Sequence, residues 1–219
     1  MKKCFRWVNQ SVILLMVLFP LGVTGVMSDP MVERQISVPN LVNSVVKKHE
    51  MAYDDLLEVV GRVQLEQIFS GKIKPREEQF LTELNQLDKA IRRAEKTEKF
   101  LRAFNEHGAQ VAEQMKLSPK TTAEFMKNYG VYEPAILLQA DFVALEIQRL
   151  KLVREQLQIV QQNPEALEFQ PGGRVNVTND TVWYAYQSVT SRLERIEKLE
   201  QEVIVGIEEK KKEKGKRRR

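Results

Sequence analysis

Between Leu41 and about Val63, the seam positions Val42, Val45, Val46, His49, Tyr53, Leu56, Val60 and Val63 recur in steps of three and four. That spacing puts them on one face of a predicted helix, and Gly71 and Pro75 punctuate its end. From Arg76 to Phe104 the pattern repeats with Phe80, Leu84, Leu87, Ile91, Ala94, Leu101 and Phe104. Arg92, Arg93, Lys96, Lys99 and Arg102 share this segment with Glu77, Glu78, Glu83, Glu95 and Glu98, which predicts a solvated face laced with pairs one turn apart. Gly108 is expected to break the chain before a compact region, Ala109 to Gly130.

Tyr132-Glu133-Pro134 opens a third long helix, Ala135 to about Gln162, with Val143, Ile147, Leu150, Val153, Leu157 and Val160 on its seam and Asn163-Pro164 at its end. Short alternating runs on either side of Pro171-Gly172-Gly173 predict a small β-hairpin over 167–178. Asn179 or Asp180 can cap a fourth long helix, whose seam runs Val182, Tyr186, Val189, Leu193, Ile196, Glu200, Val203 and Ile207. Only Glu200 interrupts its apolar character.

Two long helices joined by a short hairpin should fold back antiparallel. The expected fold is therefore all-α, made of elongated helical hairpins with coiled-coil-like seams and one small β-hairpin. The organisation reads as a leader (1–28), an N-terminal helical pair (29–108), a short helical segment (109–130), an oligomerising helical hairpin (131–209) and a basic tail (210–219). The apolar stripes exceed what one pair buries, so a homo-oligomer is expected.

Composition refines this picture through charge. The net charge of +4 conceals +3 in residues 1–28 and +7 in residues 210–219, which leaves −6 for the body between them. The body is thus not a general polyanion-binding surface, and such contact is confined to particular segments. Cys4 is the only cysteine, which excludes an intrachain disulfide.

Residues 1–28 follow the order of an export signal. Lys2, Lys3 and Arg6 precede an apolar run from Val12 to Leu18, which Phe19 to Val23 extends, and the small residues Gly22, Thr24, Gly25 and Ser28 cluster at its end. The run is shorter than the ~20 residues a spanning helix needs, and Pro20 interrupts it. Two expectations stay open. Translation from Met27 or Met31 would keep the protein cytoplasmic; otherwise it is exported or membrane-tethered, with a membrane or envelope as its partner.

Residues 111–125 carry the clearest local motif. Ala112, Ser118-Pro119, Lys120, Thr121 and Phe125 resemble a helix-turn-helix of the common bacterial regulator kind. In that motif an Ala sits where the helices touch, Ser-Pro caps the second helix and its first turn faces the major groove. Two positions depart from it: Lys116 stands where Gly is usual, and Thr122 where a β-branched apolar residue is usual. The resemblance implies Lys120, Thr121 and Lys127 as DNA-facing residues. An ordinary capped helix hairpin is the competing account of the same residues.

The stretch 121–205 is similar to phage terminase small subunits in its order of elements. A Leu-containing helix (Leu138 to Leu157) is followed by the Pro171-Gly172-Gly173 hairpin and an Asn179-capped helix running through Leu199. The resemblance implies a ring-forming, non-catalytic DNA-recognition subunit with a packaging ATPase as partner. The tail adds Lys210, Lys211, Lys212, Lys214, Lys216, Arg217, Arg218 and Arg219, whose phosphate contacts would be salt-dependent and sequence-blind.

No catalytic or metal constellation is legible. His49 lies on an apolar helical face and His107 at a helix end, with no further ligand at metal spacing. Asp54-Asp55 and Glu77-Glu78 diverge around a helix, and Gly172-Gly173 lacks the Lys-Ser/Thr of a phosphate loop. Neither an enzyme nor a cofactor is expected. The functions that remain are a DNA-recognition and packaging-assembly protein, and an exported or tethered coiled-coil scaffold, secretion-system component or chaperone-like envelope protein.

Overall fold

The computed structural model describes residues 37–63, 73–74, 77–170 and 174–217. The leader at 1–28, the Gly71 and Pro75 punctuation, the Pro171-Gly172-Gly173 turn and Arg218-Arg219 lie outside them. The elements are α1 (Val38–Gly61), α2 (Glu78–Arg102), α3 (Phe104–Gln114), α4 (Pro119–Gly130), α5 (Glu133–Gln162), β1 (Leu167–Gln170), β2 (Arg174–Val177) and α6 (Asp180–Arg217). The fold is all-α with one small antiparallel β-hairpin, as the periodicity predicts.

The long helices α1, α2, α5 and α6 run up and down beside one another. Asp55 on α1 meets Arg93 on α2; Arg102 and Glu95 on α2 meet Asp141 and Lys151 on α5; Glu155 on α5 meets Arg192 on α6. With His49 of α1 against Phe100 of α2 and Arg149 of α5 beside Glu200 of α6 as second contacts, the residue numbers rise along one helix as they fall along the next, so each of these neighbouring pairs is antiparallel. Arg102 does pair with Glu98 one turn away on its own helix, as expected. Other charges of α2 reach across helices instead, Asp88 to Arg154 among them. Being largely exposed, these pairs set orientation more than stability, at about 0–1 kcal/mol each.

The seam residues of α1 form its buried face, from Val42 through Val60, with Val38 added at the start. Helix α5 buries Ala140, Val143, Ile147, Leu150, Leu152, Val153, Leu157 and Val160 between α2 and α6. Its apolar stripe is therefore satisfied within the chain by two neighbours.

The hairpin pairs Leu167 with Val177 and Phe169 with Val175. Thr178 N–H donates to the Ala166 carbonyl at 3.0 Å, closing its base. Asn179, the first of the two expected caps, accepts the Val182 N–H at 3.1 Å and starts α6. Helix α6 then continues without interruption to Arg217, about 57 Å at 1.5 Å per residue. The basic stretch from Lys210 to Arg217 is thus the end of this helix.

One expectation is corrected between the long pairs. The break falls at Ala103, and Gly108 lies inside α3. A Cβ at Gly108 would come within 2.5 Å of the Tyr129 ring, so this glycine permits close approach of α3 and α4.

Candidate nucleic-acid interface

The α3–α4 corner is built from its turn outward. Met115 caps α3, and Lys116 adopts a positive φ of 49°. The Leu117 N–H donates to the Ala112 carbonyl at 3.1 Å, and the Lys116 N–H to the Glu113 carbonyl at 2.9 Å. These paired bonds close the helix end in a Schellman arrangement, with Lys116 in the left-handed position that normally favours Gly. Ser118 then caps α4, its Oγ accepting the Thr121 N–H at 3.2 Å, and Pro119 occupies the first turn, where its missing N–H costs nothing.

An aromatic cluster seats this corner on the bundle. Phe125 and Tyr129 of α4 are fully buried, with Tyr129 stacked on Phe104 at 3.9 Å between ring centroids. The Tyr129 hydroxyl donates to the Phe104 carbonyl at 2.9 Å, and burial raises its pKa, keeping it a donor. His49 of α1 reaches into the same cluster, stacking on Phe100 at 4.5 Å. Ala112 is buried where α3 and α4 meet.

What remains outside is the face the resemblance implicates. Lys120 and Lys127 are exposed and two turns apart on one side of α4, with Glu124 between them. Thr121 is only half-exposed, and its hydroxyl lies 2.8 Å from Ser118 Oγ, so it is engaged in the cap. Lys116 adds a third exposed cation at the turn. Lys210, Lys211, Lys212, Lys214, Lys216 and Arg217 belong to the last turns of α6, and Arg218 and Arg219 lie outside the described residues. The antiparallel register, with Gln156 bonded to Thr190 and Arg149 beside Glu200, carries this end of α6 toward the start of α5, the end of the bundle that holds α4.

Two buried polar clusters, which no local motif marks, lie behind this face. His49 Nδ1 bonds the Val45 carbonyl at 3.0 Å, and His49 Nε2 lies 3.2 Å from His107 Nδ1. A carbonyl only accepts, so Nδ1 of His49 carries the hydrogen, and the neutral ring accepts from His107 through Nε2. Burial lowers the His49 pKa, with the Val45 carbonyl opposing and His107 and Lys48 reinforcing the shift.

Deeper in the bundle, Arg149 on α5 donates through Nε to Glu146 at 2.7 Å and lies 3.7 Å from Glu200 on α6. Glu146, Glu200 and Tyr53 of α1 are all buried, and neither Glu200 Oε1 nor the Tyr53 hydroxyl has a hydrogen-bond partner among the described residues. Burial opposes the charge on Arg149, but Glu146 and Glu200 beside it hold its pKa above the ordinary value. The one signal of this cluster in the sequence is Glu200, the carboxylate inside an apolar seam.

Among the described residues, no three His, Cys, Asp or Glu side chains gather as a metal site, and no helix is long and apolar enough to cross a membrane. Comparisons with known protein families, curated proteins and solved structures find no match for this chain.

Proposed function

We propose that this chain is a non-enzymatic, oligomeric DNA-recognition and assembly protein, of the kind that phage terminase small subunits represent. In this reading α4 is presented to duplex DNA and the basic end of α6 adds phosphate contacts. The observation that carries it is the α3–α4 turn. Lys116 adopts the left-handed conformation at the position where regulators of this type hold Gly, and Ser118 caps the second helix. Ala112 and Phe125 are buried behind it, while Lys120 and Lys127 face outward. The register that brings the end of α6 to the same end of the bundle supports one composite face, while the acidic body keeps DNA off the rest. A packaging ATPase is the partner this reading implies.

The test is a duplex-binding titration of the full chain across salt concentrations. Binding should weaken steeply with salt, and deleting residues 210–219 should flatten that dependence. Lys120→Ala with Lys127→Ala should weaken binding further. Absence of binding to any duplex at low salt sinks the proposal.

The leader-like order of residues 1–28 favours a second reading, an exported or tethered coiled-coil scaffold, secretion component or chaperone-like envelope protein. N-terminal sequencing of the protein from its native cells, with fractionation, separates the two. A chain starting at Val26 or Asp29 outside the cytoplasm selects the second.

A further inference from the structure

Glu200 divides α6 into two differently held parts. Before it, Val182, Tyr186, Val189, Thr190, Leu193 and Ile196 are buried against the bundle. After it, Gln201 and Glu202 are exposed, Val203 and Ile204 are half-buried and Val205 is 52% exposed. Glu200, only 3% exposed, is the last fully buried side chain that the described part of α6 offers.

Its surroundings do not suit an ionised carboxylate. Arg149 donates to Glu146 through both Nε and Nη2. Among the described residues, Glu200 Oε1 has no hydrogen bond, standing 3.7 Å from that guanidinium, and the Tyr53 hydroxyl nearby has none either. Two carboxylates thus share one guanidinium in a buried layer formed by α1, α5 and α6, with Glu197 of α6 a further negative neighbour. One proton on Glu200 removes the excess charge and supplies a donor that an ionised carboxylate lacks.

We propose that Glu200 is a proton-operated latch: protonated, it keeps the end of α6 docked on α5, and ionised, it releases the segment that follows it. Burial, then Glu146, push its carboxyl up to about 8 against the opposing pull of Arg149, so the proton is held at neutral pH. A group raised in the folded state contributes docking that is complete below its unfolded value of 4.5 and is lost as pH rises through about 8. Tyr53 cannot take over the charge, since burial, Glu146, Asp54 and Glu200 all raise its own pKa. The latch does not depend on what the basic end of α6 touches and stands or falls apart from DNA binding.

The experiment is backbone hydrogen exchange of the full chain between about pH 6 and 9, corrected for the intrinsic pH dependence of exchange. Segment 197–209 should lose protection above about pH 8, by up to about tenfold per pH unit, while segment 182–193 keeps its own. Glu200→Gln, neutral and nearly isosteric, should abolish the response. Glu146→Gln should do the same, because ionised Glu200 then has Arg149 to itself. The proposal is overturned by a wild-type profile without pH dependence, by equal loosening of 182–193, or by a response that persists in either variant.

Discussion

His49 Nε2 and His107 Nδ1 lie 3.2 Å apart although 58 residues separate them in the chain. One hydrogen joins them, and it can do so only while the facing His49 nitrogen is unprotonated. A proton on His49 Nε2 would set two N–H donors against each other inside an aromatic cluster.

This pair gives the first prediction. The His49 pKa is lowered in the fold, chiefly by burial, so the unfolded chain binds a proton that the folded chain resists. Its contribution to stability is complete above the unfolded value of 6.5 and is lost as pH falls through the lowered folded value. Urea denaturation at a series of pH values should show stability declining with acidification across that window. His49→Phe keeps the ring stacking on Phe100 and should flatten the decline. An equally steep decline in the variant would assign it to other groups.

The pair also marks where sequence reading ends. The stripe of α1 and the seam of α6 as far as Glu200 were legible because each buries one face at a regular spacing; Val42 to Val60 fall where expected, Val203 is half-buried, and the side chain of Ile207 lies outside the described ones. Helix α5 was legible as a helix but only in part as a core element. It lies between α2 and α6, so Ala140, Phe142, Glu146, Leu152 and Gln156 are buried beyond its single expected seam. Partners such as His49–His107 and Arg149–Glu200 depend on which helices are neighbours, and no local spacing records that. At the candidate interface, Ser118 and Lys116 were legible because caps and turns are local. The engagement of Thr121 by the cap follows from rotamers and was not.

Gly108 supplies the second prediction. A methyl group there meets the Tyr129 ring at 2.5 Å, and that ring is fully buried, stacked on Phe104 and tied by its hydroxyl to the Phe104 carbonyl, so it cannot readily yield. Gly108→Ala should lower the unfolding free energy by about 1–3 kcal/mol despite the better helix propensity of Ala. Gly130→Ala has open space around it and should raise stability by up to ~1 kcal/mol. Opposite signs in paired chemical denaturation would confirm that contact, not propensity, governs position 108.

Lys116 supplies the third. A side chain at φ 49° is strained where Gly is not, and Lys116 is exposed, so it loses little packing on removal. Lys116→Gly should stabilise the protein by about 0.5–1 kcal/mol, less than the full left-handed cost because Gly gives up more chain entropy on folding. The same substitution removes a cation from the turn. In a duplex titration it should weaken binding slightly while the melting temperature rises, a split that a purely structural Lys116 would not show.

The fourth prediction concerns how α5 and α6 find their register. Gln156 Nε2 donates to Thr190 Oγ1 at 3.2 Å, and that hydroxyl donates on to the Tyr186 carbonyl at 2.9 Å. Both side chains are buried between the helices, and Gln156 Oε1 has no partner among the described residues. Sliding α6 by one turn would carry Thr190 away from Gln156 and remove this bond, so the layer favours one alignment of the two helices. Thr190→Val strands the amide of Gln156 and should cost about 1–3 kcal/mol. Adding Gln156→Leu removes the stranded group and should recover most of that loss, because paired apolar residues need no partner. The measurement is a double-mutant cycle by urea denaturation, read together with the cooperativity of unfolding. A double variant that regains stability but unfolds over a broader range would show that the polar layer serves alignment more than strength. Additive losses from the two substitutions would show that the residues act independently and that the register is set elsewhere.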